Sequence, residues 1–315
     1  MEKSTLTGVW PIVPTPLTAD EELDEGALQR IIEFQLAAGV HGLWLLGSRG
    51  EGPNLTQHTQ QQVIQITKKM VCGRVPLIAG CAAPGTRQTI ENMNMVKDAG
   101  ADIIQVAEPY YYNLREPWLL AHYESVMDAA ELPVVLYFLH DRHPHAAPGA
   151  CPEVVRRFAP HPKCVGIKAA TFDFAMIQSM VVATQDLDFD VTVAAGNLIF
   201  ASLIIGAAGV TSPESAFLPK LYVDMYQAVQ SNNLAKAWQL QQKAFAFCKL
   251  FQPFDVPSSK AALVALGLAE EHLSRPFLPM PEPHRQQLID LVRHEYGSQF
   301  TSPAAQQCAP RKPQK

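Results

Sequence analysis

Short apolar runs recur along the chain, beginning near Val9, Gly42, Pro76, Asp102, Pro133, Cys164, Val191 and Gly209. Runs of this kind between turn residues predict strands buried on both faces. Most of the intervals leave room for a helix, the rhythm of repeated βα units. Within them Glu25–Ala38, Thr56–Met70 and Glu116–Ala130 carry apolar residues at three- and four-residue spacing, as in Leu28, Ile31 and Ile32, and predict outer helices. Ala38-Gly39-Val40, Ala99-Gly100-Ala101 and Ala208-Gly209-Val210 each place a glycine where a helix should stop and a strand begin. No Gly-x-Gly-x-x-Gly follows an early strand, so the α/β pattern predicts a closed (β/α)8 TIM barrel over residues 1–231 rather than an open dinucleotide sheet. From about Asn232 to Tyr296 the pattern turns wholly helical, punctuated by Pro253, Pro257 and the proline-rich Arg275–His284 stretch. A C-terminal helical extension is therefore expected over 232–298, with a polar, disordered tail over 299–315.

Composition narrows the function classes. With 315 residues, 48% hydrophobic and 17% charged, the chain can bury a large core. A net charge of -5 and scattered basic residues give no support for a nucleic-acid groove or a polybasic membrane patch. Met1–Trp10 lacks a signal-peptide pattern, and no apolar run approaches the roughly eighteen residues needed to span a bilayer. The six cysteines show no Cys-x-x-Cys spacing, which fits reduced thiols in a cytoplasm. The expected partners are small molecules and copies of the chain itself.

The candidate chemistry starts from Lys168, which ends the run Lys163–Lys168, and Tyr137, which ends Leu132–Tyr137. Period-two alternation points Gly166 and Lys168 to one face and Val165 and Ile167 to the other, while Val135 and Tyr137 share a face. Parallel neighbours lie roughly 4.8 Å apart, so the phenol could serve the amine directly, a pairing that suits imine formation on a carbonyl substrate. Taken singly, such a lysine more often snorkels to solvent and such a tyrosine more often anchors a core. Barrel chemistry gathers at strand C-terminal ends, where both fall together with the loop Gly47-Ser48-Arg49-Gly50-Glu51. Ser48 alone would read as a helix cap.

That loop, Pro109-Tyr110-Tyr111, Tyr137 and Gly166-Ile167-Lys168, in this order, resemble the pyruvate-dependent class I aldolases and lyases that include dihydrodipicolinate synthase and N-acetylneuraminate lyase. The likeness runs from about Thr7 to Tyr296. It implies that neutral Lys168, its pKa lowered from about 10.4 by burial and a nearby cation, forms a Schiff base with pyruvate or another 2-oxo acid. Tyr137 would be the acid/base and Ser48 a proton relay, with no added cofactor and no metal. Tyr111, its register uncertain by one against Tyr110 and Tyr112, would complete a neighbouring subunit's site, which requires a homodimer or homotetramer. Substrate contacts would come from Gly47, Arg49, Arg142 and, in the Gly209-Val210-Thr211-Ser212 stretch, Val210. Arg49 either pairs with a substrate carboxylate or points outward as a surface charge.

Phe138-Leu139-His140-Asp141, Gly196-Asn197 and Ala216 depart from the family pattern and point to an unusual aldehyde partner, while leaving the imine machinery untouched. His140, His143 and His145 lack the spacing of a metal site and read as a polar rim. The implied activity is a carbon-carbon lyase or synthase. Its rivals are dihydrodipicolinate synthesis proper from pyruvate and an amino-aldehyde, dehydration of a sugar-derived 2-oxo acid, a catalytically silent keto-acid sensor, and a purely structural scaffold.

Overall fold

The computed structural model describes residues 6–112, 114–138 and 150–297. Eight strands, β1 (Gly8–Val9), β2 (Leu43–Leu45), β3 (Leu77–Gly80), β4 (Ile103–Ala107), β5 (Val134–Phe138), β6 (Cys164–Ala169), β7 (Asp190–Val193) and β8 (Gly209–Val210), each begin within one residue of the position expected from sequence. They pair in parallel in the order β1-β8-β7-β6-β5-β4-β3-β2. The remaining gap closes through the segment after β1. There the Trp44 N–H donates to the Pro11 carbonyl at 2.9 Å and the Val13 N–H to the Trp44 carbonyl at 2.9 Å. The result is a closed (β/α)8 TIM barrel.

Helices α1 (Glu25–Ala37), α2 (Gln57–Val71), α3 (Thr86–Ala99), α4 (Glu116–Ala129), α5 (Ala150–Phe158), α6 (Phe174–Thr184), α7 (Ile199–Ile204) and α8 (Pro219–Gln230) alternate with the strands. Their starts follow ordinary capping chemistry: Asp24 accepts from the Ala27 N–H at 2.9 Å and Thr56 from the Thr59 N–H at 3.2 Å. Gly39 (φ 79°) and Gly100 (φ 111°) stop α1 and α3 in the left-handed region, as expected. Gly209 does not do so. The left-handed residue after α7 is Gly206 (φ 101°), whereas Gly209 already lies in β8, where a Cβ would meet the Leu6 carbonyl at 2.2 Å. That glycine answers a close backbone approach rather than a helix stop.

Two apolar layers result. Ile104, Val106, Leu136, Ile167 and Val193 face the helices, while Trp10, Trp44, Ile78, Ile103 and Val135 form a separate cluster in the barrel interior. Strict alternation fails once. The β5–β6 register slips between Val134 and Val135, and Val165 packs against the inner cluster instead of joining Ile167.

After α8 come α9 (Leu234–Phe251), α10 (Val256–Ala265) and α11 (Glu282–Tyr296), within the span expected to be a helical extension. They dock tightly on the barrel: Phe251 stacks on Phe217 at 5.5 Å between centroids, and the Tyr296 hydroxyl donates to the Phe217 carbonyl at 2.6 Å. The segment 299–315 lies outside the described residues. Among the described residues no helix is long and apolar enough to cross a membrane.

Candidate active site

The register pairs Tyr137 of β5 directly with Lys168 of β6. Both point inward and are buried, at 3% and 1% exposure. The Lys168 Nζ stands 4.4 Å from the centroid of the Tyr137 ring and 4.9 Å from that of Trp44. Trp44 is itself fixed, its Nε1–H donating to Gln105 Oε1 at 2.8 Å. Side chains from β2, β4, β5 and β6 thus fix the surroundings of one amine. The Tyr137 hydroxyl lies 3.1 Å from Ser48 Oγ, so a proton path leads from the phenol to the glycine loop. A cavity of about 260 Å³ opens over this group, lined by Lys168, Tyr137, Ser48, Arg49 and Asp255, with Ala170 and Ala194 among its apolar walls.

The loop after β2 is held in a shape that few residues tolerate. Leu46 (φ 56°) and Glu51 (φ 60°) are left-handed, and a Cβ on Gly52 would sit 2.1 Å from the Leu46 carbonyl. The Gly47 carbonyl accepts from the N–H groups of Gly50 (3.0 Å) and Gly52 (3.3 Å). The left-handed turn drives the Glu51 carboxylate inward, where it is fully buried against Lys260 of α10 at 2.8 Å. It also accepts from the Ser274 N–H (2.9 Å) and hydroxyl (2.7 Å), while Lys260 donates to the Thr15 carbonyl at 2.5 Å. Burial lowers the Lys260 pKa, and the Glu51 carboxylate opposes that shift. The loop after β2 is therefore clamped by the helical extension.

Arg49 is no surface charge. It is 7% exposed, its Nη1 pairs with Asp255 Oδ1 at 2.6 Å, and its guanidinium lies 5.1 Å from the Phe251 ring centroid. Asp255 sits at φ 52° and ψ -122°, a sparsely populated conformation for a residue with a side chain. It was not foreseen from sequence, because nothing local in the extension marks it as facing a loop two hundred residues earlier. Behind this wall Glu214 is buried; burial raises its pKa, against the pull of Cys248, Arg49 and Ser212.

The other expected contacts divide. Val210 does not line the cavity: its side chain belongs to the outer core, and its carbonyl accepts from the Trp10 N–H at 2.8 Å. Gly47 shapes the loop from below. Tyr111 is 73% exposed, packs edge-on against Tyr112 at 4.9 Å, and is not among the residues lining the cavity. Arg142, His140, His143 and His145 lie outside the described residues.

A buried amine facing a phenol at the mouth of a parallel barrel is the working arrangement of class I aldolase-type lyases, and the fold and site place this enzyme in that class. Residues 5–295 match the dihydrodipicolinate synthetase family, to which the chain belongs. Similar chains include 4-hydroxy-tetrahydrodipicolinate synthases of Methanospirillum hungatei (30% identity, covering 90% of this chain and 98% of that one) and Acidobacterium capsulatum (32%, covering 96% and 99%). Among solved structures, YagE, a prophage protein of E. coli K12 in complex with pyruvate, superposes with TM-score 0.84 at 30% identity, covering 91% of this chain and 98% of that one. A monomeric dihydrodipicolinate synthase variant gives TM-score 0.88 at 28% identity, covering 94% and 99%.

Proposed function

We propose that the enzyme makes or breaks a carbon-carbon bond beside an enamine formed from pyruvate, or a close 2-oxo acid, on Lys168. The observation that carries this reading is the buried Lys168 Nζ at the Tyr137 ring, with the Tyr137 hydroxyl 3.1 Å from Ser48 Oγ. Neutral Lys168 adds to the keto carbon; the oxygen takes two protons, one from the attacking nitrogen and one through Tyr137, and leaves as water to give the iminium. A C3 proton departs to give the enamine, whose carbon bonds to an aldehyde carbon while the aldehyde oxygen gains a proton. Water then hydrolyses the imine and frees the lysine. The reverse sequence cleaves the same bond.

In this reading the carboxylate of the 2-oxo acid rests on the Gly47–Arg49 turn through loop N–H groups with Arg49 beside it, while Arg142 is assigned, from the family resemblance, to the second substrate's carboxylate. Exposed Tyr111 reaches into a neighbouring copy, so a homodimer or homotetramer is the working form, in a cytoplasmic setting. The relatives' names and the pyruvate complex of a similar structure support a 2-oxo acid as first substrate. Incubation with pyruvate and a panel of aldehydes, read by mass spectrometry, tests the reaction. New condensation products that vanish in Lys168→Ala are expected; a protein inert toward every 2-oxo acid and aldehyde would be the silent keto-acid sensor instead.

A further inference from the structure

Arg49 and Asp255 both line the cavity that holds Lys168, one from the loop after β2 and the other from the residue ahead of α10, and they pair at 2.6 Å. The two partners are held unequally. The Arg49 side chain is 9% exposed and lies over the Phe251 ring at 5.1 Å, whereas the Asp255 side chain is 36% exposed. Moving the guanidinium into water would break its packing on the ring. Moving the carboxylate into water completes a hydration it already has in part. The acid is therefore the partner that can leave.

Asp255 also departs from the use its position in the chain suggests. It is the N-cap of α10, and aspartate is among the residues that most often cap a helix by accepting from its first turn. Here its side chain makes no capping hydrogen bond and pairs with Arg49 instead, on a backbone at φ 52° and ψ -122° that is unfavourable for a residue with a side chain. Asp255 thus presents to Arg49, inside the cavity, the same group that a 2-oxo acid brings with it, a carboxylate.

We propose that Asp255 is an internal stand-in for the substrate carboxylate: it pairs with Arg49 until the carboxylate of the 2-oxo acid displaces it. The proposal rests on the imine reading above and names what sets the affinity of that site. Binding of the acid breaks one ion pair as it makes another, so Asp255 weakens the grip on a charged 2-oxo acid and leaves a neutral ketone unaffected. Asp255 is then a specificity-determining residue that acts through Arg49, at a distance from the reacting atoms.

Borohydride trapping on Lys168, read by mass spectrometry over a range of pyruvate and of methyl pyruvate concentrations, gives a half-saturating concentration for a charged and for a neutral ketone. Asp255→Asn, which keeps the size and removes the charge, should lower the pyruvate value about fivefold, the order of one partly exposed ion pair. The methyl pyruvate value should move less than about twofold. Asp255→Gly, which suits the backbone at φ 52°, is a second charge-removing variant and should give the same pair of shifts. In an Arg49→Gln background Asp255→Asn should change the pyruvate value by no more than about twofold, because the contested cation is gone. A pyruvate value unchanged or raised in both Asp255 variants, an equal shift with methyl pyruvate, or a fivefold shift that persists without Arg49 would each overturn the proposal. Wild-type protein that traps no pyruvate on Lys168 would instead sink the imine reading, and this inference with it.

Discussion

Two lysines are buried to 1% or less within the same end of the barrel, and their surroundings differ. Lys260 sits against the Glu51 carboxylate at 2.8 Å and the Thr15 carbonyl at 2.5 Å, so its surroundings are arranged to hold a charge. Lys168 has the ring faces of Trp44 and Tyr137 over its nitrogen, at the floor of a cavity that admits a small molecule. The difference teaches that burial alone does not mark a reactive amine. In the proposed reading what singles out Lys168 is access for a carbonyl carbon and a phenol beside the amine.

The sharpest way to break the comparison is to exchange the consequences. Lys168→Ala should abolish condensation, by at least roughly a thousandfold in kcat, because no second nucleophile occupies its place. The same change should leave the thermal midpoint near that of wild type. Tyr137→Phe should cost about a hundredfold to ten-thousandfold in kcat by removing the proton donor, with the ring still packed on the lysine. Steady-state kinetics on folded variants check both; an active Lys168→Ala would erase the distinction.

Lys260→Met should do the reverse. It leaves Glu51 buried without its ion-pair partner, and the expected loss is about 3–5 kcal/mol in denaturant unfolding. Borohydride trapping of the molecules that remain folded should still modify Lys168. Stability unchanged in that variant would contradict the clamp between loop and extension.

A third buried ionisable group extends the rule to an acid. Glu108, just after β4, has its pKa raised from 4.5 to about 7 by burial. Its folded state favours the protonated form, so stability falls as pH rises from 4.5 through about 7. Glu108→Gln should remove that slope and stabilise the protein by up to about 3 kcal/mol at about pH 8, with the gain vanishing near pH 4. His122, lowered to about 4 by burial, has the opposite sign, losing stability as pH falls below 6.5, so the variant is compared with wild type at each pH. Urea midpoints across this range would show whether the two curves converge at low pH.

Much of the barrel was legible because strands covered on both faces leave short apolar runs between turn residues, and these repeat at βα spacing. The amine-phenol pair was legible for the same reason: each ends such a run, and parallel register brings the ends together. What escaped depends on contacts across the fold. Asp255 meets Arg49, and Lys260 meets Glu51, only after the extension docks on the loop. The slip that sends Val165 inward leaves no local trace in an apolar strand, and the shift from Gly209 to Gly206 reflects two glycines within one connection.

The most direct measurement is borohydride reduction of wild-type protein with pyruvate near neutral pH, followed by peptide mass mapping of both buried lysines in one digest. The account predicts a pyruvate-derived adduct on Lys168 and an unmodified Lys260. An adduct on Lys260, or none on Lys168, would contradict it.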